Sequence, residues 1–186
     1  MKKLVLLISL ILVVSVVSAQ EMPKDTILSK KEIKQKKKEE KEAKLQKQFE
    51  NNYQILLDKS FVLETNYINN SINVSSNLNF ILIDSSNTII QTSSDFSAGS
   101  NGMGGSTVEG KILNYKLTKS EKHKVCSLIV LAKNDYFKFK IVFEVQSSGY
   151  ARAWLEGEDG SIWLIFDGNI VLLKDTRVLK GNTFFK

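Results

Sequence analysis

Three patterns of apolar and polar positions succeed one another along the 186 residues. Leu4 to Val17 is apolar apart from two serines, Ser29 to Leu57 is charged with an apolar stripe only in its second half, and from Phe61 onward short β-rich runs alternate with clusters of Asn, Asp, Gly and Ser. The first pattern carries Lys2 and Lys3 ahead of it and the small residues Val17-Ser18-Ala19 behind it, the layout of a signal peptide cut before Gln20. It falls short of the roughly 20 apolar residues that span a bilayer. The mature chain is therefore expected to be periplasmic or secreted, with no stable membrane span after cleavage. The residue directly after the cleavage site is Gln20 and not a cysteine, so a lipoprotein is not expected.

In the second pattern, Ser29-Lys30-Lys31-Glu32 reads as a capping box that starts a helix. Lys34 to Glu42 is polar all round and offers no face to bury. Leu45, Phe49, Tyr53 and Leu56 then recur at helical spacing, and Leu57 broadens the stripe. This half is expected to dock on a sheet. A coiled-coil dimer is the alternative, but the repeat is not sustained over enough heptads.

The third pattern predicts strands over Phe61–Tyr67, Ser71–Ser75, Asn79–Ile83, Thr88–Thr92, Thr107–Leu117, Val125–Ala132, Phe137–Val145, Tyr150–Glu156, Ser161–Phe166 and Ile170–Leu173. Asp167-Gly168 between two of these runs predicts a two-residue hairpin, and Glu158-Asp159-Gly160 a second turn. The fold class that follows is mainly β: an antiparallel meander forming a sandwich or strongly curved sheet, preceded by one N-terminal helix. The domain organisation is a signal peptide over 1–19, a linker and charged helix over 20–59, and a β domain over 60–186.

Charge alters this picture little once it is located. The net charge is +6, yet Lys30 to Lys59 holds ten lysines against six acids, and Ser60 to Lys186 has thirteen Lys or Arg against twelve acids. The excess belongs to a solvated helix with charges of both signs, and no nucleic-acid partner is expected. Cys126 is the only cysteine, set in the run Val125 to Leu131, which marks it as a small buried hydrophobe and excludes an intrachain disulfide.

Candidate chemistry is sparse. Gly105 to Lys111 matches most of the G-x-x-x-x-G-K phosphate loop, but Ile112 replaces the Mg²⁺-binding hydroxyl and the following residues read as strand, which excludes nucleotide hydrolysis. His123 is the only histidine and sits between lysines, as a solvated turn residue would. No metal, cofactor or catalytic residue is expected, and the chain is not read as an enzyme. The densest unexplained feature is the glycine-rich segment Ser97 to Ser106. Its backbone amides can form an anion-binding nest, with Asn101, Gly102, Gly104, Gly105, Thr107 and Glu109 as the candidate ligand-binding set. The plainer alternative is a loop that turns a corner or supplies a bulge.

A second candidate is an aromatic patch of Tyr150, Trp154 and Trp163 beside Arg152, suited to a carbohydrate or an anionic ligand. The loop Ser147-Ser148-Gly149 decides it. A two-residue turn aligns these aromatics with Phe143 and Ile141 in the core, a three-residue loop with Lys140 and Glu144 on the surface. Large aromatics supply much of the packing area of small β domains, which favours the core.

Several ordered blocks bear a likeness: Asn79-Phe80, Ile90-Gln91, Asn101 to Gly110, Ser148 to Ala153, and Val178 to Gly181. Between about Phe61 and Gly181 the chain resembles an exported bacterial family known as domain of unknown function 4251. The resemblance implies an envelope protein and transfers no catalytic residue, and it is not taken to include the lysine-rich arm or the Trp163 hairpin. The function expected is a non-catalytic binding or interaction module for a protein or glycan of the cell envelope. The alternatives are a hydrolase of envelope polymers built on Asp95 and Glu109, or an oligomer assembled through the helix.

Overall fold

The computed structural model describes residues 30–94 and 99–183. The signal peptide, the capping residue Ser29 and Asp95 lie outside the described residues. A helix, α1, runs over Lys30–Leu57. It is followed by β1 Ser60–Ile68, β2 Ile72–Asn73, β3 Phe80–Asp84, β4 Asn87–Thr92, β5 Ser106–Ser120, β6 Val125–Lys133, β7 Lys138–Gln146, β8 Tyr150–Glu156 and β9 Ile162–Leu172, with a 3₁₀ turn at Leu173–Asp175.

Each strand pairs antiparallel with its neighbour in the order β2-β1-β3-β4-β5-β6-β7-β8-β9, and β9 pairs back with β1. Eight strands thus close a barrel, and β2 is a short flap on the end of β1. The antiparallel, mainly β fold preceded by one helix is as expected, and of the sandwich or strongly curved sheet the curved sheet is found, closed into a barrel that removes the exposed edges an open sheet would carry.

Closure depends on a predicted turn that does not form. The chain does not reverse at Asp167-Gly168; β9 passes straight through both and supplies the closing strand. Gly168 stands opposite Thr65 at the seam, where a Cβ would lie 1.9 Å from the Glu64 carbonyl oxygen. The glycine is there for close backbone approach, and Asp167 for an ion pair described below. The Glu158–Gly160 turn does form, with Gly157 N–H donating to the Ser161 carbonyl at 2.9 Å.

Alternation along the strands sends apolar side chains inward. Phe61, Leu128, Phe139, Ile141, Phe143 and Phe166 are fully or almost fully buried, and Phe61 meets Phe143 edge to face at 5.8 Å. An eight-stranded barrel is just wide enough for side chains to fill. Cys126 belongs to this filling, and burial pushes its thiol up to about 11. Outward positions on β5, β7 and β8 carry Lys116, Lys140, Glu144, Arg152 and Glu156.

The chain's contacts divide it between Glu40 and Lys41. In the unit from Lys41 onward, Phe49 and Leu56 of α1 are fully buried in the barrel core, with Tyr53 and Ile55 packed partly against it. Leu57, expected to widen this stripe, is half exposed; Asn52 is the buried residue instead. Its Nδ2 donates to the carbonyls of Gln146 and Ser147, both at 3.0 Å, and so pins the helix to the β7–β8 loop. The Tyr115 hydroxyl donates to the Leu56 carbonyl, and burial pushes its ionisation well above the usual phenol range. Among the described residues no helix is long and apolar enough to cross a membrane.

Candidate functional site

The glycine-rich segment and the C-terminal tail meet on the outer face of β3, β4 and β5, around Gln91. Its Nε2 donates to the carbonyls of Leu78 (2.9 Å) and Leu179 (2.8 Å). Its Oε1 accepts from the Thr107 hydroxyl (2.9 Å) and the Gly181 N–H (2.8 Å). A primary amide has two donors and two lone pairs, so this buried side chain is saturated. Asn101 is used the same way. Its Oδ1 accepts from the Met103 and Gly105 N–H groups at 2.9 and 3.1 Å, and its Nδ2 donates to the Thr92 carbonyl and Thr107 Oγ1 at 3.0 and 3.3 Å.

These contacts decide what the predicted set does. Asn101 and Thr107 are buried, and the amides that would build an anion nest already point at the Asn101 carboxamide. Gly105 lies against β4, where a Cβ would sit 2.0 Å from the Thr92 carbonyl oxygen. Gly104 accepts from the Ser94 hydroxyl at 2.8 Å, and Gly102 is exposed. Glu109 accepts from Lys180 and from the Thr183 hydroxyl, at 2.5 Å for the latter. The segment is a staple that holds the tail over the wall of the barrel. The Asp95 partner needed for a two-carboxylate hydrolase lies outside the described residues, and Glu109 is spoken for by the tail.

Beside the staple, a cleft of about 420 Å³ opens between the β3–β4–β5 wall and the β6–β7 turn. Asp84, Asn87, Lys111 and Lys133 cross its floor in register, one from each of four adjacent strands. Glu109 and Asp135 add two further carboxylates. One lining residue, Asn134, holds a buried polar atom without a partner, its Nδ2. Thr88 Oγ1 is also unpartnered, but it lies on the inward face of β4, between Ile83 and Gly110. The other end of Asn134 is fully used, its Oδ1 accepting from the Tyr136 and Phe137 N–H groups at 2.9 Å each. The turn thus fixes the side chain and leaves its donor idle. A buried unpaired polar atom costs about 1–3 kcal/mol, so this idle donor is an unusual expense for the fold.

Sequence reasoning reached Glu109 and missed the rest of this cleft. The only signal was Asn134-Asp135, which reads as an ordinary turn.

The aromatic candidates take the surface alternative. Glu144 stands opposite Arg152 and Val142 opposite Trp154, so Ser147 to Gly149 is a three-residue loop that turns Tyr150, Arg152 and Trp154 outward. Asp167, only 2% exposed, accepts from Arg152 Nε at 2.6 Å, Arg152 Nη2 at 3.2 Å and the Tyr150 hydroxyl at 2.9 Å. The carboxylate raises the Arg152 pKa, and burial, then Asp167, raises that of Tyr150. Tyr67, opposite Asp167 on β1, completes this wall. Trp163 does not share it. A bulge at Leu155/Glu156 leaves it without a cross-strand partner, and its ring meets Phe137 edge-on at 5.7 Å while Nε1 donates to Ser161 Oγ at 3.1 Å.

The model of a family described as Domain of unknown function (DUF4251) matches residues 29–170. The match takes in the lysine-rich helix and the Trp163 hairpin, which the sequence reading had set apart, and stops before the Val178–Gly181 block. The crystal structure of a DUF4251 family protein from Bacteroides eggerthii DSM 20697 is similar, with a TM-score of 0.56 and 20% identity, over 69% of this chain and 90% of that one. No curated protein matches.

Proposed function

We propose, for a chain that belongs to the DUF4251 family, an exported, non-catalytic binding module of the cell envelope that seats a small polar ligand in the cleft beside the staple. The signal-peptide pattern of residues 1–19 supports export. The observation that carries the ligand site is the unpartnered buried donor Nδ2 of Asn134, a residue of the cleft lining. An amide nitrogen that can only donate suits a ligand bearing uncharged or anionic oxygen acceptors. Lys111 and Lys133 favour negative charge at one side of the floor, and Asp84 limits it at the other.

Native mass spectrometry of the mature protein, purified from the compartment where it accumulates, tests this reading. Wild type should retain a small-molecule adduct. Asn134→Asp is near-isosteric, removes the idle donor and keeps the acceptor that the turn needs. This variant should lose the adduct, whereas Thr88→Val, on the inward face of β4, should keep it. A bare wild-type chain, or an adduct that survives in Asn134→Asp, overturns the proposal.

A further inference from the structure

The geometry points to a second binding surface on the opposite wall of the barrel, a platform for an uncharged oligosaccharide formed by Tyr67, Tyr150 and Arg152 over the buried carboxylate of Asp167. It uses none of the cleft residues.

Three observations carry the assignment. The first is exposure: Tyr67 is 46% exposed and Tyr150 36%, on strands β1 and β8 that flank β9 on either side. An exposed aromatic ring beside a second one is informative where a single exposed side chain is not. The axial C–H groups of a hexopyranose present a weakly positive, apolar face, which suits the negative face of an aromatic ring.

The second is rigidity. Asp167 is held by three donors from β8, the Tyr150 hydroxyl and both Nε and Nη2 of Arg152. This fork fixes the guanidinium, whose side chain remains 41% exposed with its other N–H groups available to solvent. The hydroxyls of a sugar are acceptors for such a fixed donor, and Glu144, opposite Arg152 and exposed, is an acceptor for sugar hydroxyl protons.

The third is charge balance, which selects the ligand class. The buried carboxylate neutralises Arg152, so the centre of the platform has no net charge to offer an anion. In the next two outward rows toward the end of β8, Trp154 lies between Val142 and Ile165, and Lys140 is paired with Glu156 at 2.5 Å, while the row on the other side sets Tyr150 opposite Asn169. An uncharged ligand with one apolar face and several hydroxyls fits this surface; an anionic one has no unneutralised cation at its centre.

Titration calorimetry on the mature chain with tetrasaccharides of N-acetylglucosamine, glucose and mannose tests the inference, with polygalacturonate as the anionic comparison. At least one neutral tetrasaccharide should bind in the millimolar range or tighter, with little dependence on salt. Tyr67→Ala, which touches only an exposed ring, should weaken it about tenfold with an unchanged melting temperature. Asn134→Asp, in the cleft, should leave it unaltered. Failure of every neutral sugar to bind, equal binding by Tyr67→Ala, or salt-sensitive binding of the anionic polymer alone overturns the platform. None of these results bears on the adduct in the cleft.

Discussion

The N–H of Gly181 donates to the side-chain oxygen of Gln91 at 2.8 Å, across 90 positions of sequence. This bond sits at the centre of a network in which the separate blocks Asn79, Gln91, Asn101 to Gly110 and Leu179 to Gly181 meet. Asn79 Oδ1 accepts from the Ser93 N–H at 2.7 Å, and the Asn101 carbonyl accepts from the Asn182 N–H at 2.9 Å. Asn79, Gln91 and Asn101 to Gly110, all within the family match, therefore act together with the C-terminal tail as a fastening.

Removing the Gln91 carboxamide strands two carbonyls, a hydroxyl and an amide in a buried place. Gln91→Ala should cost about 3 kcal/mol and should speed hydrogen exchange at Gly181 and Asn182 more than in the barrel strands. Gln91→Glu sets a carboxylate against the Leu78 and Leu179 carbonyls, which raises its pKa. A raised acid contributes its stability below the unfolded value and loses it as pH rises, so this variant should recover stability on acidification. Urea titrations at neutral and mildly acidic pH check the sign; a variant equally stable at both removes the fastening role.

Gly168 separates two readings of one dipeptide. At the tip of a hairpin, Gly168→Ala would cost about 1 kcal/mol through positive φ alone. At the β1–β9 seam, the added Cβ meets the Glu64 carbonyl oxygen at 1.9 Å and the strands must part. The expected result is loss of the cooperative melt, or a drop of well over 3 kcal/mol. Gly160→Ala is the control, because open space surrounds that position and only its φ of +79° is at issue.

The strands and the helix were legible because period-two and period-3.6 patterns are local. Tyr150–Glu156 was located to the residue, and the inward set of β7 followed from its alternation. Closure was not legible, since it depends on what Gly168 meets across the seam, a contact between positions about a hundred residues apart. Asp-Gly has the same local chemistry whether it turns a chain or lets two strands approach. The outward placement of Tyr150 and Trp154 hung on one residue of loop length, which sequence does not fix when Ser, Ser and Gly all tolerate a turn. The cleft was invisible for a different reason: Asn134 becomes notable only because its Nδ2 lacks a partner, and a missing hydrogen bond leaves no mark on a sequence.

Asn52 offers a test of how α1 is held. It occupies a position in the helix where an apolar residue would extend the stripe, yet it is buried and donates to two loop carbonyls. Asn52→Leu adds apolar area but leaves the Gln146 and Ser147 carbonyls unpaired. The unpaired acceptors should outweigh the gain, with a net loss of about 1–2 kcal/mol by urea unfolding. A stabilised variant would mean that packing of Phe49 and Leu56 alone fixes the helix.

Cys126 supplies the pH test. Its thiol titrates near 11 in the fold because burial disfavours the thiolate, against about 8.5 when unfolded. The unfolded chain therefore releases this proton first as pH rises. The contribution to stability is complete below the unfolded value, declines between the two, and is gone above the folded one. Between about pH 8 and about pH 11, wild type should lose up to about 3 kcal/mol more than Cys126→Ala, measured by urea unfolding at each pH. Burial of Tyr115 acts in the same direction, but it is common to both proteins and cancels in the difference. At neutral pH the thiol should react with an aromatic disulfide only as fast as the barrel opens, and a fast reaction in the folded protein would contradict its place in the core.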